Sequence, residues 1–205
     1  MDPGLNGVSY HTYADGTEVF SGPRNMQTKT VNGWTGLGVE GGFVPGEVDL
    51  KDSEWITIRY RTPVMLDHIM LGFLFPNGQY GDTVNEKAKI RFSYLYGNET
   101  VVKFEQLVAT GGGTANWSGV GVVSNLSLGA APYSGVWRID SPFENPVTSL
   151  KFSASQNGGS ISSGNSDFSI VEVAPVAPVP EPSTLVLLGG GLVGLASWGR
   201  KKFRI

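Results

Sequence analysis

Residues 54–75 read EWITIRYRTPVMLDHIMLGFLF and contain the clearest strand signals in the chain. Their first part alternates apolar and polar residues, a period of two that predicts a strand with one buried face. The apolar members of this alternation are Ile56, Ile58 and Tyr60. Thr62-Pro63 then ends the strand, because a proline restricts the residue before it. Residues 64–75 are almost continuously apolar, which predicts a strand covered on both faces.

Further strands are predicted on both sides of this stretch. Residues 87–96 alternate again, and Gly97-Asn98 predicts a hairpin that returns along residues 100–108. Shorter strands are predicted at residues 17–20, 28–31, 120–123, 134–140, 147–154 and 168–173. Residues 34–49 are rich in glycine and are predicted to follow a tight path, with backbone conformations that other residues avoid. Residues 110–116 are predicted to be a loop.

The pattern predicts an all-β body over residues 1–173. No stretch before Leu185 has a helical period, and about nine or ten strands are the number expected for a β-sandwich. We expect the jelly-roll form, because the long connections suit it better than a seven-stranded immunoglobulin-like pattern. With a net charge of -3 there is no basic field to attract nucleic acid. The chain has no cysteine, which excludes disulfides and thiolate sites.

An acidic, glycine-rich segment supplies the candidate metal ligands Glu47, Asp49 and Asp52. Carboxylate oxygens on a turn are ligands that Ca²⁺ accepts, so a structural calcium ion is one interpretation. Their spacing does not follow the EF-hand pattern, and the alternative is a loop of solvated charges. We expect no other cofactor.

Trp34, Trp55 and Trp117 are candidates for stacking on sugar rings. Aromatic side chains on the surface of a β-sandwich offer an apolar face of the right kind, although ordinary packing is the alternative. Trp55 falls on the opposite side of its strand from Ile56 and Ile58 and is therefore the first of the three to test.

No catalytic motif is present in the body. The two histidines, His11 and His68, have neither a Ser-His-Asp setting nor a metal-ligand spacing. We therefore expect a protein that is not an enzyme. A pair of carboxylates brought together by the fold for sugar hydrolysis is a distant alternative.

The C-terminal residues 179–205 read VPEPSTLVLLGGGLVGLASWGRKKFRI and differ from the body. A Pro-rich linker, residues 174–182, leads through Pro180, Glu181 and Pro182 into an uncharged apolar run, residues 185–198. As a helix this run would reach about 21 Å, a marginal span for a ~30 Å hydrocarbon core. The cluster that follows is basic and should stay on the cytoplasmic side, with the body outside the inner membrane. It consists of Arg200, Lys201, Lys202 and Arg204.

VPEPST, the apolar run and RKKFR, in that order, resemble the PEP-CTERM sorting signal of Gram-negative, exopolysaccharide-producing bacteria. The same profile is described as an ice-binding-protein C-terminal domain. The resemblance implies an exosortase, a membrane protease-transpeptidase, as partner, with Pro180, Glu181 and Pro182 as its recognition turn. It also implies one short transmembrane helix within a signal over residues 183–205, and the basic cluster as the retention element. The protein would pass from the inner membrane to the cell surface or extracellular matrix.

Residues 36–73 are similar to a segment in many bodies that carry such a tail, a grouping usually predicted as a jelly roll. This second resemblance supports the fold and not an activity. For the exported body we expect a structural or adhesive role linked to exopolysaccharide. A carbohydrate-binding module is the alternative, and a glycan-active hydrolase a distant one. Residues 1–10 contain no charged-then-apolar secretion signal, so we expect the true start to lie upstream.

Overall fold

The computed structural model describes residues 2–111, 113–128, 134–157 and 166–177. The predicted sorting turn, membrane segment and basic cluster lie outside these residues. Among the residues that are described, no helix is long and apolar enough to cross a membrane.

The described residues form a short 3-10 helix, Pro3–Leu5, and thirteen strands. The strands are β1 (Tyr10–Thr12), β2 (Glu18–Gly22), β3 (Met26–Val31), β4 (Trp34–Val39), β5 (Trp55–Val64), β6 (Leu66–Gly72), β7 (Lys87–Tyr96), β8 (Glu99–Gly111), β9 (Thr114–Trp117), β10 (Val122–Asn125), β11 (Trp137–Asp140), β12 (Val147–Ala154) and β13 (Ser169–Pro175). The prediction of an all-β body is confirmed. The jelly-roll form stays a prediction.

The strands form two sheets in which every neighbouring pair is antiparallel. Sheet A has seven strands in the order β1-β2-β5-β12-β7-β8-β9, and sheet B has six in the order β10-β11-β6-β13-β4-β3. Strands that are distant in sequence therefore become neighbours, as β5 and β12 do in sheet A.

One hydrophobic core joins the inner faces of the two sheets. Its members from sheet A include Ile56, Ile90, Leu107, Leu150 and Phe152, and those from sheet B include Leu37, Ile69, Leu71, Ile139 and Ile170. The predicted burial of both faces of β6 is confirmed. Ile69 lies in this core, whereas Met70 packs on the other side of sheet B with Val136 and Val171.

The tight path predicted for the glycine-rich residues 34–49 is confirmed by positive φ angles at Gly41, Gly42 and Gly46, but the strand that begins this stretch was missed. β4 is a strand in the glycine-rich stretch, and Gly38 allows it, because an added Cβ there would lie 2.2 Å from the backbone of Gly46. The prediction of a loop at residues 110–116 was wrong. The predicted loop at residues 110–116 is largely occupied by the end of β8 and by β9. The last described strand, β13, includes Ala174 and Pro175 from the predicted linker.

Candidate functional site

The register of sheet A builds three rows of side chains across the sheet, on the face opposite the core. Residues that pair directly across antiparallel strands lie side by side on one face. The middle row is Tyr10, Phe20, Thr57, Lys151, Arg91 and Phe104. One flanking row is Thr12, Glu18, Arg59, Ser149, Ser93 and Val102, and the other is Gly22, Trp55, Ser153, Lys89 and Gln106. We call these three rows the outer face of sheet A.

Trp55 lies across β2 at one side of this face. The closest approach is at Gly22, where an added Cβ would come within 2.5 Å of the indole ring. Its ring meets Phe20 edge-on at a centroid distance of 5.9 Å, and the ammonium group of Lys151 lies 4.4 Å from the ring centroid. Because a lysine stem is flexible, this cation can move aside for a ligand without disturbing the strands.

Four cations belong to the three rows. Arg59 is neutralised by Glu18, with 3.0 Å between the guanidinium and carboxylate groups. Lys89 lies 4.4 Å from the ring centroid of Phe104. Within the described part of the chain, Arg91 forms no salt bridge.

Aromatic and cationic groups share one shallow groove of about 300 Å³ on this face. Its lining consists of Phe20, Trp55, Thr57, Arg59, Arg91, Ser93, Val102, Ser149 and Lys151. The hydroxyl groups of the serines and threonine can donate or accept hydrogen bonds there. The groove therefore offers a stacking surface, hydroxyl groups and positive charge to one ligand.

The other two candidate tryptophans lie elsewhere. Trp34 packs against the Met70 cluster of sheet B and lines a cleft of about 550 Å³. β4 and β13 pair only between Leu37 and Ile170, and the cleft is lined by residues on both sides of this pair. Trp117 is half-buried on β9, and its indole N–H donates to the carbonyl of Val120 at 2.6 Å. The structure thus places the three tryptophans in three separate environments.

The cleft beside Trp34 is larger than the groove on sheet A, but it carries less charge. Half of its lining residues are aliphatic, and Glu172 is its one charged residue among those described, whereas three cations line the groove. Burial raises the pKa of the Tyr60 hydroxyl in its wall, as expected in apolar surroundings. We therefore build the candidate site on the outer face of sheet A.

The three candidate calcium ligands have different partners. Glu47 is buried and ion-paired with Lys29. Asp49 is buried and accepts the backbone N–H of Lys51 at 2.6 Å, whereas Asp52 lies 3.8 Å from the guanidinium of Arg24. In the part of the chain that the structure describes, no group of three or more histidines or carboxylates is placed to hold a metal ion. The calcium site stays a prediction.

Sequence reasoning missed a cluster of carboxyl groups around a cavity of about 250 Å³. Glu47, Asp82 and Asp167 line the cavity, and the fully buried Glu86 interacts with both aspartates. Burial is the main cause of the raised pKa values of Glu86, Asp167 and Asp82. The pKa of Asp82 is raised to about 6. These residues are scattered along the chain, so no local spacing could have revealed the cluster.

Residues 178–201 match the family model of the PEP-CTERM protein-sorting motif. The match includes the Pro-Glu-Pro turn, the apolar run and the first two basic residues, Arg200 and Lys201. Comparison with curated proteins and with solved structures gives no match. The motif marks an exported protein that is anchored through its C-terminus during sorting and processed by an exosortase.

Proposed function

We propose that this exported exosortase substrate resides on the surface or in the extracellular matrix of a Gram-negative bacterium and adheres there to exopolysaccharide. The sorting motif supports export to the cell surface. The groove beside Trp55 is the observation that supports polysaccharide binding by the body. Adhesion fits this face because a sheet surface is long and open, as a polymeric ligand requires.

The dimensions of the face suit an extended chain. From β2 to β8 the middle row crosses five adjacent strands, or about 19 Å at a spacing of ~4.8 Å. Phe20 and Trp55 lie towards one end of this path and Phe104 at the other. The apolar faces of sugar rings can pack on these aromatic rings while their hydroxyl groups bond to the polar side chains between them.

We further propose that the protein binds glycan without cleaving it. Hydrolysis of a glycosidic bond generally uses two carboxyl groups on opposite sides of the bond. The three described rows contain one carboxylate, Glu18, which already accepts hydrogen bonds from Tyr10 at 2.7 Å and Arg59 at 3.0 Å.

The cluster around Glu86 is the observation that favours the hydrolase alternative, because it brings several carboxyl groups to one cavity. However, Glu86 is fully buried and accepts backbone N–H groups from Phe75 and Asp167, and Glu47 is held by Lys29. These contacts connect the β6–β7 segment to the start of β13, which is a structural role.

The test is polysaccharide binding by the full chain in detergent, with Trp55→Ala compared with Trp34→Ala. We expect Trp55→Ala to weaken binding by about tenfold or more, the loss typical of a central aromatic contact. Trp34→Ala removes the same side chain from the other sheet and should leave binding nearly unchanged.

Two results would contradict the proposal. One is no binding of the wild-type chain to any polysaccharide on a broad array, and the other is equal loss in the two variants. Release of new reducing ends from a bound polysaccharide would instead support the hydrolase, and loss of that release in Asp82→Asn would locate the reaction in the carboxyl cavity.

A further inference from the structure

We infer that the glycan held by the outer face of sheet A is acidic, with carboxylate groups on its sugar rings, as in polyuronates. This inference rests on the proposed function and names the class of ligand. Three cations, Lys89, Arg91 and Lys151, lie at the centre of the face, and no described acidic side chain forms a salt bridge with them.

The first observation is a like-charge pair in the middle of the sheet. Lys151 of β12 and Arg91 of β7 lie directly opposite each other. Like charges directly opposite each other destabilise a sheet, so this pair lowers the stability of sheet A. Lys89 lies two residues from Arg91 on the same face and adds a third positive charge.

The second observation is the distribution of acids. Glu18, the one carboxylate in the three described rows, lies on β2 and pairs with Arg59. Among described side chains, Lys89, Arg91 and Lys151 have no salt bridge. Since the chain as a whole has a net charge of -3, this cluster is a local concentration of positive charge on an acidic protein.

The third observation is the chemistry of the individual groups. Arg91 is exposed and lines the groove together with Lys151, between the aromatic rings. A guanidinium group presents paired N–H donors that match the two oxygens of a carboxylate, and lysine ammonium groups add charge without fixed geometry. A polyuronate would supply carboxylates to the cations and ring faces to Trp55 and Phe104.

A single-stranded nucleic acid also combines negative charge with surfaces that stack on aromatic rings. The acidic chain and the export motif favour the polysaccharide, because export brings the body to the compartment where exopolysaccharide accumulates. Single-stranded DNA is therefore included in the test as a competing ligand.

The test uses the full chain in detergent with polygalacturonate, alginate and hyaluronate, each paired with its carboxyl-reduced form. Reduction removes the charge and keeps the linkages. We expect at least one acidic polymer to bind about tenfold more tightly than its reduced partner, with affinity falling as salt rises. Arg91→Gln should weaken that binding about fivefold or more.

Lys103→Gln is the matched control. It also removes one positive charge, but Lys103 pairs with the core residue Phe92 and so faces away from the groove. We expect its affinity to stay within about twofold of the wild type, as for a charge outside the contact. Equal losses in Arg91→Gln and Lys103→Gln would overturn the inference, because only overall charge would then matter.

The outcomes separate this inference from the proposed function. Binding to reduced or neutral polysaccharides that equals or exceeds binding to the acidic ones would overturn the acidic ligand and leave adhesion intact. Binding to no polysaccharide at all would reject adhesion itself. Binding to single-stranded DNA alone, sensitive to Arg91→Gln, would assign the face to nucleic acid and also reject the inference.

Discussion

Glu54 is a buried carboxyl group in the segment that leads into β5. One carboxylate oxygen accepts the backbone N–H of Asp49 at 3.0 Å, and the other accepts from the guanidinium of Arg24 at 3.1 Å. Burial, and to a lesser degree the charges of Asp49 and Asp52, raise the pKa of Glu54 to about 7. The group therefore keeps its proton in the folded state at a pH where the unfolded chain has already lost it.

This shift predicts how Glu54 affects stability. Between the unfolded pKa, near 4.5, and the folded pKa, about 7, the folded protein binds more protons, so its free energy of unfolding falls as pH rises. We expect Glu54→Gln to match the wild type near pH ~4.5 and to gain several degrees in Tm relative to it by pH ~7.5. Thermal unfolding across this range measures the difference.

Glu40→Gln is a control for that measurement, because it removes an exposed carboxyl group instead of a buried one. Its difference in Tm from the wild type at pH ~7.5 should be smaller than that of Glu54→Gln. A difference in Tm that stays flat with pH for Glu54→Gln would show that Glu54 ionises in the folded protein as it does in the unfolded chain.

Single residues differ in how far the sequence predicted their positions. The outward position of Trp55 follows from the period of two in β5, because Ile56 and Ile58 take the other face. The pairing of Arg91 with Lys151 depends on β7 and β12 becoming neighbours, and the intervening chain contains no signal for that. The same holds for Glu86 and Asp167, which meet only through the fold.

At the scale of elements, the β3–β4 hairpin joins the rest of sheet B through one narrow contact. Leu37 and Ile170 are the described pair between β4 and β13. Next to it, Gly36 lies so close to β13 that an added Cβ would be 2.3 Å from the Cβ of Ser169. Ser169 cannot move away easily, because it is buried and its hydroxyl donates to the carbonyl of Gly46 at 2.6 Å.

Gly36→Ala should therefore weaken the junction between β4 and β13. The methyl group has no space, and overpacking of this kind costs about 1–3 kcal/mol. We expect a Tm several degrees lower and faster hydrogen exchange in β3 and β4 than in β6. Gly4→Ala is the matched control, since the atoms nearest to its methyl group would be those of the exposed Asp2 side chain, at 3.2 Å or more. Unchanged exchange in β3 and β4 would contradict the proposed junction.

Elements with strong alternation or long apolar runs were predicted well, and those made of glycine were not. Local signals predict these elements: alternation in β5, an apolar run in β6, and the turn residues Gly97-Asn98 between β7 and β8. β4 contains Gly36 and Gly38, which have low strand propensity, and is stabilised by β3 and by the bridge from Val39 to Glu47. Such a strand depends on tertiary contacts, so its sequence alone does not predict it.

At the scale of the whole molecule, the two parts of the chain carry different information. Four of the eleven basic side chains of residues 1–173 belong to the outer face of sheet A, and the C-terminal motif provides a route of export. The proposed adhesion requires both, because the outer face of sheet A has no polysaccharide to bind unless the body reaches the outside. The sorting signal must therefore be oriented correctly before the groove can act.

Charge at the C-terminus should control this orientation. Basic residues next to an apolar segment are retained on the cytoplasmic side of the membrane. Replacing them with neutral residues therefore removes the charge that orients the segment. We expect replacement of Arg200, Lys201, Lys202 and Arg204 by glutamine to leave unprocessed protein in the membrane fraction of an exosortase-positive host. Exchanging lysine and arginine at these four positions keeps the charge and should preserve processing. If the glutamine variant fractionates like the wild type, charge does not orient the signal. If the variant with exchanged lysine and arginine also remains unprocessed, the exosortase recognises side-chain identity rather than charge.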